Sequence, residues 1–179
     1  EALQAVSSAK VIYIDEGRVD EYAAWVSTLD FVDIEDSELD DASYQAAERP
    51  YLENKVGQAM TRFKEYLNQF PNGQHALQAH FYLAQLQFAD GKKMEAIPGY
   101  TFVANKERSE FTEQALARLS EIFLTQKDYT NAKTYLKRLE TEADFPQNII
   151  FAQTNIMKAS YELQQYEEAV TYAETVLSN

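Results

Sequence analysis

The chain has 179 residues, 5 Gly, 4 Pro and no Cys, which excludes a disulfide scaffold, thiolate catalysis and Cys-ligated zinc and leaves too few turn residues for an all-β fold. Its net charge of −13 argues against nucleic acid, whose phosphates require a basic stripe. No apolar run approaches the ~20 residues of a membrane span, so no transmembrane segment is expected.

In chain order, long stretches of Ala, Leu, Glu, Gln and Lys predict ten helices, at about 2–16, 18–29, 42–53, 55–69, 74–89, 92–105, 110–126, 128–141, 146–163 and 165–178. The chain opens inside helix-forming sequence (EALQAVSSAKVIYID) and stops just after another such stretch (YAETVLSN), and is read as part of a longer chain. The charge is uneven: residues 15–53 hold 13 acids and 2 bases, whereas 54–179 hold 15 and 13. The one long connection, 30–41, contains the acidic run 33–41, DIEDSELDD. A calcium loop needs a central Gly that the run lacks; a solvated loop is expected, with Asp40 or Asp41 capping the next helix. Pro98 falls inside a predicted helix and is expected to kink it or shift its start.

The helices pair. Aligning the second helix of each pair places a small or aromatic residue at Tyr22, Ala59, Ala96, Ala132 and Ala169, at intervals of 37, 37, 36 and 37. The turns within pairs fall at Gly17, Asn54, Gly91, Lys127 and Gln164 with the same intervals. Gly and Asn tolerate the left-handed conformation that ends a helix. Pro71 and Pro146 mark joints between pairs. One pair cannot bury both of its apolar faces, so such units come in arrays.

Ala59, Phe63 and Pro71 supply a small residue, an aromatic four later and a Pro near the end of the second helix. Ala96 with Tyr100 lacks the Pro. Ala132 with Leu136 and Ala169 with Ala173 keep only the small residue, and Tyr22 with Val26 is a degenerate copy. This pattern resembles the tetratricopeptide repeat (TPR), although the family period is about 34. The joint FPNGQHALQAHFYLA is similar to that of the periplasmic TPR proteins of the Gram-negative envelope, the outer-membrane-protein assembly lipoproteins and the Tol-associated coordinators. The resemblance implies an all-α, right-handed α-α superhelix of about five helix pairs. It would be a single array over 1–179, with repeats at about 2–29, 42–69, 74–105, 110–141 and 146–178. It also implies a non-enzymatic protein–protein interaction scaffold without cofactors, in the periplasm or envelope, with cytoplasm as the alternative.

In that family the first helix of each pair lines the concave surface. The transferred register gives partner-binding candidates Tyr44, Glu48 and Tyr51; Gln78, Phe81, Tyr82, Gln85 and Phe88; Arg118 and Glu121; and Thr154, Asn155, Lys158 and Tyr161. The aromatics would form a track for a peptide or protein domain, since aromatics and Arg anchor protein interfaces. The alternating Lys and Asn of a carboxylate clamp are absent. Ala59, Phe63, Ala96, Tyr100, Ala132, Leu136, Ala169 and Ala173 are expected to pack the core. His75 and His80 are five apart and do not share a face as a metal pair would. No Walker, dinucleotide or nucleophile-elbow motif occurs. An uncapped apolar face after Leu177 predicts self-association through the open ends of the array. The alternative function is a structural spacer with an idle groove.

Overall fold

A computed structural model describes residues 1–32 and 35–178. Asp33 and Ile34 of the acidic run lie outside the described residues. The described residues form ten helices: α1 (Ala2–Glu16), α2 (Val19–Val26), α3 (Asp36–Leu52), α4 (Val56–Gln69), α5 (Ala76–Ala89), α6 (Lys93–Ala104), α7 (Thr112–Thr125), α8 (Tyr129–Glu142), α9 (Pro146–Glu162) and α10 (Tyr166–Ser178). No strand occurs among them. The chain divides into two compact units, Glu1–Asp90 and Gly91–Asn179.

The repeat register is visible in the backbone. Positive φ occurs at Gly17 (67°), Asn54 (57°), Gly91 (79°), Lys127 (59°) and Gln164 (59°), the five turn positions that the spacing predicts. At Gly17 the amide donates to Ile14 O and the next amide, Arg18 N, to Tyr13 O. The same bond pair recurs after Asn54, Lys127 and Gln164. This is the Schellman closure, which satisfies carbonyls that a helix end leaves open.

The second helices share one apolar stripe at i, i+4, i+7, the spacing of one helical face. Its members Ala59, Phe63 and Tyr66 in α4, Ala96, Tyr100 and Val103 in α6, and Ala132, Leu136 and Leu139 in α8 are all buried. In α2, Tyr22 and Val26 are buried; in α10, Ala169 is buried but Ala173 is only partly covered.

Within residues 1–90, α3 packs on α4 and α4 on α5, with contacts of α1 and α2 to α3. Tyr44, Ala47, Ala59, Phe63, Tyr66 and Ala79 form an aromatic-rich core. Gly17 sits so close to Arg62 that a Cβ would meet the guanidinium. Arg62 donates to the carbonyls of Gly17 (2.7 Å) and Glu16 (3.1 Å), capping the end of α1. Within 91–178 the helices pack in succession from α6 to α10, around aliphatic and small residues such as Leu116, Leu119, Ile122 and Ile156.

Three expectations differ from the structure. The acidic stretch Asp36–Asp41 is the first turn and a half of α3 rather than a capping loop, because Leu39 and Asp40 turn inward and give it a buried face. Accordingly Asp40 is a buried hydrogen-bond acceptor, not a cap. Pro98 neither splits α6 nor delays its start; its side chain is exposed, so the ring displaces nothing in the core.

Candidate functional site

The first helices carry the predicted binding residues, and the two units hold them differently. In residues 1–90, the Tyr51 ring stacks on Tyr82, with centroids 4.7 Å apart and planes at 20°. The Tyr51 hydroxyl donates to Gln85 Oε1 at 3.1 Å. Both rings are partly covered, resting on the core around Phe63. Glu48 is partly buried and accepts from the Tyr44 hydroxyl at 2.9 Å. Gln78 and Phe88 are also partly buried. The outcome at this surface is an ordered cluster of two aromatic faces and two polar groups on α3 and α5.

Tyr44 and Phe81 depart from the expected exposed track, for they are 6% and 3% exposed. Tyr44 points into the aromatic core, 6.3 Å from Phe63 and 5.7 Å from Tyr66, and stacks on His75 at 4.3 Å. Burial, then the bond to Glu48, pushes its phenol far above the usual tyrosine range. Neither ring can anchor a ligand without leaving the interior, and α5 exposes Tyr82 rather than Phe81.

Beneath this surface lies a network that the sequence pattern did not reveal. The Tyr66 hydroxyl donates to Asp40 Oδ1 at 2.5 Å, and the Gln74 amide donates to Asp40 Oδ2 at 2.6 Å. The His75 amide donates to the Tyr66 oxygen at 3.2 Å, and His75 Nε2 lies 2.7 Å from Asp41 Oδ1. Burial, and next the bond to Asp40, raises the Tyr66 phenol well above its ordinary value. Gly73 is required here because a Cβ would lie 2.6 Å from both Asp40 Oδ2 and the Tyr66 oxygen. The Phe70–Pro71–Asn72–Gly73 joint is thus held by a buried carboxylate from the preceding first helix. The signal for Asp40 was its place three and four residues before the buried Ser43 and Tyr44 on one face of α3, masked by the acids around it.

In residues 91–178 the candidates are engaged among themselves. Arg118 donates to Glu121 Oε2 at 2.9 Å, and Lys93 donates to Glu121 Oε1 at 3.2 Å. Asn155 Nδ2 donates to Phe151 O of its own helix at 2.7 Å, and Thr154 is partly buried. Lys158 is exposed, as is Tyr161 at 63%. Tyr161 meets Tyr166 edge-on at 5.7 Å. Both line an apolar hollow of about 480 Å³ between α9 and α10, with Met157, Lys158, Ala169, Val170 and Ala173. Sequence reasoning named only Tyr161 and Lys158 of this set as binding residues.

Among the described residues no group of three or more His, Asp or Glu is placed to hold a metal ion, and no helix is long and apolar enough to cross a membrane.

Neither a protein-family model nor a curated relative matches the chain. Solved structures do. A Podosopora anserina protein described as a kinesin light chain with nearly identical TPR-like repeats matches with a TM-score of 0.54 at 14% identity, over 99% of this chain and 94% of that one. A point variant of that protein matches with 0.53 at 15% identity, over 99% and 93%. BtubC (BKLC) from P. vanneervenii matches with 0.50 at 12% identity, over 98% and 78%. The fold is that of TPR-like repeat proteins. In TPR-like proteins generally, stacked helix pairs present extended surfaces to protein partners. The period of 36 to 37 residues in this chain is therefore compatible with a TPR-like pair despite exceeding the family norm of about 34.

Proposed function

We propose that the chain is a non-enzymatic protein-interaction scaffold whose ligand, a peptide or protein domain, docks on the first helices α3 and α5. The observation that carries this reading is the Tyr51–Tyr82–Gln85 cluster, which is ordered and partly exposed before any ligand arrives. Tyrosine supplies large contact area at low entropic cost, and preordering lowers the cost of binding further. Glu48 and Gln85 beside the rings favour a ligand that offers hydrogen-bond donors or a positive charge next to an apolar side chain. A place in the Gram-negative envelope is part of the proposal, supported by the resemblance of the joint FPNGQHALQAHFYLA to periplasmic TPR proteins.

The test is a crosslinking capture from an envelope extract, comparing the wild type with a Glu48→Lys, Gln85→Lys double variant of unchanged circular dichroism. A protein captured by the wild type and lost by the variant supports this docking surface. Equal capture by both refutes it.

A second reading, a spacer without a ligand, is favoured for residues 91–178 by the pairing of Arg118, Glu121 and Lys93 with one another. These groups already satisfy each other and present little unspent binding capacity.

A further inference from the structure

The joint between α4 and α5 contains Asn72, the only Asn of the chain that a Gly follows. Asn is a thermolabile residue, because the backbone nitrogen of the next residue can attack its side-chain carbonyl carbon and close an imide ring. A Gly in the next place puts no Cβ in the way of that attack. Asn72 is exposed, and its side-chain amide makes no hydrogen bond among the described residues.

The attacking atom, Gly73 N, is by contrast committed. It donates to Phe70 O at 3.1 Å. The next two amides are committed as well, Gln74 N to Asp40 Oδ2 at 2.6 Å and His75 N to the Tyr66 oxygen at 3.2 Å. Attack requires the Asn72–Gly73 peptide to rotate, which breaks the bond to Phe70. It also moves Gly73, where there is no spare room: a Cβ would lie 2.6 Å from both Asp40 Oδ2 and the Tyr66 oxygen. The reaction therefore passes through a locally opened joint, and such openings cost less than global unfolding.

We propose that Asn72 is a site of spontaneous deamidation and that the Asp40–Tyr66 network sets its rate. Gly73 N gives up its proton to water and bonds to Asn72 Cγ. The Cγ–Nδ2 bond breaks, and the nitrogen leaves as ammonia with a proton returned from water. A second water then opens the imide. Addition at Cγ gives Asp, and addition at the backbone carbonyl gives isoaspartate, whose main chain runs through the side-chain methylene. Nothing is oxidised or reduced, and the sum consumes one water and releases one ammonia.

The products act back on the joint. Each adds a negative charge at position 72, next to the Gly73 that touches the buried carboxylate of Asp40. Isoaspartate also lengthens the main chain by one atom immediately before Gly73. The modification thus loosens the contacts that slowed it, and it does so irreversibly. The site lies inside the array, between α4 and α5, and is independent of any ligand of α3 and α5.

The test is peptide mass spectrometry of the chain aged at neutral pH, following the mass gained when a side-chain NH2 becomes OH. The arms are the folded wild type, the wild type unfolded in urea, Tyr66→Phe and Asn72→Ser, with circular dichroism reporting folding. The gain should fall on Asn72 ahead of Asn54, Asn68 and Asn105, and Asn72→Ser should remove it. It should be fastest in urea, an arm that needs no substitution. Tyr66→Phe should react at least about fivefold faster than the folded wild type, the factor by which losing a hydrogen bond to a buried group raises the open fraction. In the isoaspartate form, separated by ion exchange, the amides of Gln74 and His75 should exchange hydrogen faster than in the unmodified chain. A folded wild type in which Asn72 gains no more than Asn54 or Asn105 overturns the proposal. So does a rate that is the same folded and in urea, or the same in a folded Tyr66→Phe and the wild type, or an isoaspartate form with unchanged exchange.

Discussion

Residues 1–90 and 91–179 build one repeat in two chemistries. The first hold 16 acids against 6 bases, the second 13 against 10. Both bury hydroxyls, such as that of Ser43 in the first and those of Tyr100, Thr112, Ser120 and Ser160 in the second, but among the described residues only the first bury a carboxylate, Asp40, and an amide, Gln87. The first are also cut by polar clefts of about 610 and 920 Å³ around Gly17 and Arg62. The comparison teaches that the 36- to 37-residue register fixes where helices start, turn and touch, while the filling of the interface is free to vary. A filling of tyrosines and a hydrogen-bonded carboxylate places polar aromatic groups at the surface, where a ligand can use them.

The largest effects should come from the aliphatic core of residues 91–178. Leu136→Ala removes a side chain with 0% exposure and should cost about 2–5 kcal/mol by urea unfolding. A loss under about 1 kcal/mol would show that this core is looser than described.

Next comes the polar network of residues 1–90. Tyr66→Phe leaves Asp40 buried with one donor fewer and should cost about 1–3 kcal/mol. Gly73→Ala, whose Cβ would crowd Asp40 and Tyr66 at 2.6 Å, should cost a similar amount, about 1–3 kcal/mol. The two losses should not add in the double variant, because both act on one network. Full additivity would separate Gly73 from the network.

Acid should act on residues 91–178 through one network of ion pairs. Bonds from Lys133 and then Lys137 hold the Glu168 carboxyl at about 2, below its ordinary 4.5. A lowered folded-state pKa stabilises above the unfolded value and is lost as pH falls through the folded one. The stability of residues 91–178 should therefore decline between pH 4.5 and about 2, and Glu168→Gln should flatten that part of the profile. Near pH 10 the sign reverses for tyrosine. Tyr44 and Tyr66, raised chiefly by burial, stabilise below the unfolded value and lose that contribution as pH rises above it. Tyr100, pushed by burial to about 12, behaves likewise in the second unit.

The smallest effect belongs to the turns. Lys127 adopts φ 59° where Gly91 adopts 79°. Lys127→Gly should gain up to about 1 kcal/mol by removing left-handed strain. Gly91→Ala, where a Cβ meets nothing within 4 Å, should lose about 1 kcal/mol through the backbone alone. A neutral result at both positions would detach the turn register from backbone strain.

Much of this architecture was legible in the sequence because it repeats. Spacing alone located all five turns, including Lys127 and Gln164, whose residue types give no left-handed signal. The apolar i, i+4, i+7 stripe located the core positions of α4, α6 and α8. Residue type misled where a polar group was buried: Asp40 is hidden among acids, and only the fold brings Tyr66 and Gln74 to it. Periodicity also could not rank neighbouring aromatics. Phe81 and Tyr82 differ by one position, about 100° around α5, and that rotation decides which ring is exposed. The α9–α10 hollow was missed because Tyr166 and Val170 lie on a second helix, whereas binding residues were sought only on first helices.

The most direct test of the account is a reciprocal capture. The wild type, the Glu48→Lys, Gln85→Lys variant and an Arg118→Glu, Lys158→Glu variant are crosslinked in parallel to envelope extract, with circular dichroism equal for all three. The account predicts a specific partner held by the wild type and by the second variant, and lost by the first. Loss by the second variant alone, or equal capture by all three, would contradict the assignment of binding to the tyrosine-lined helices of residues 1–90.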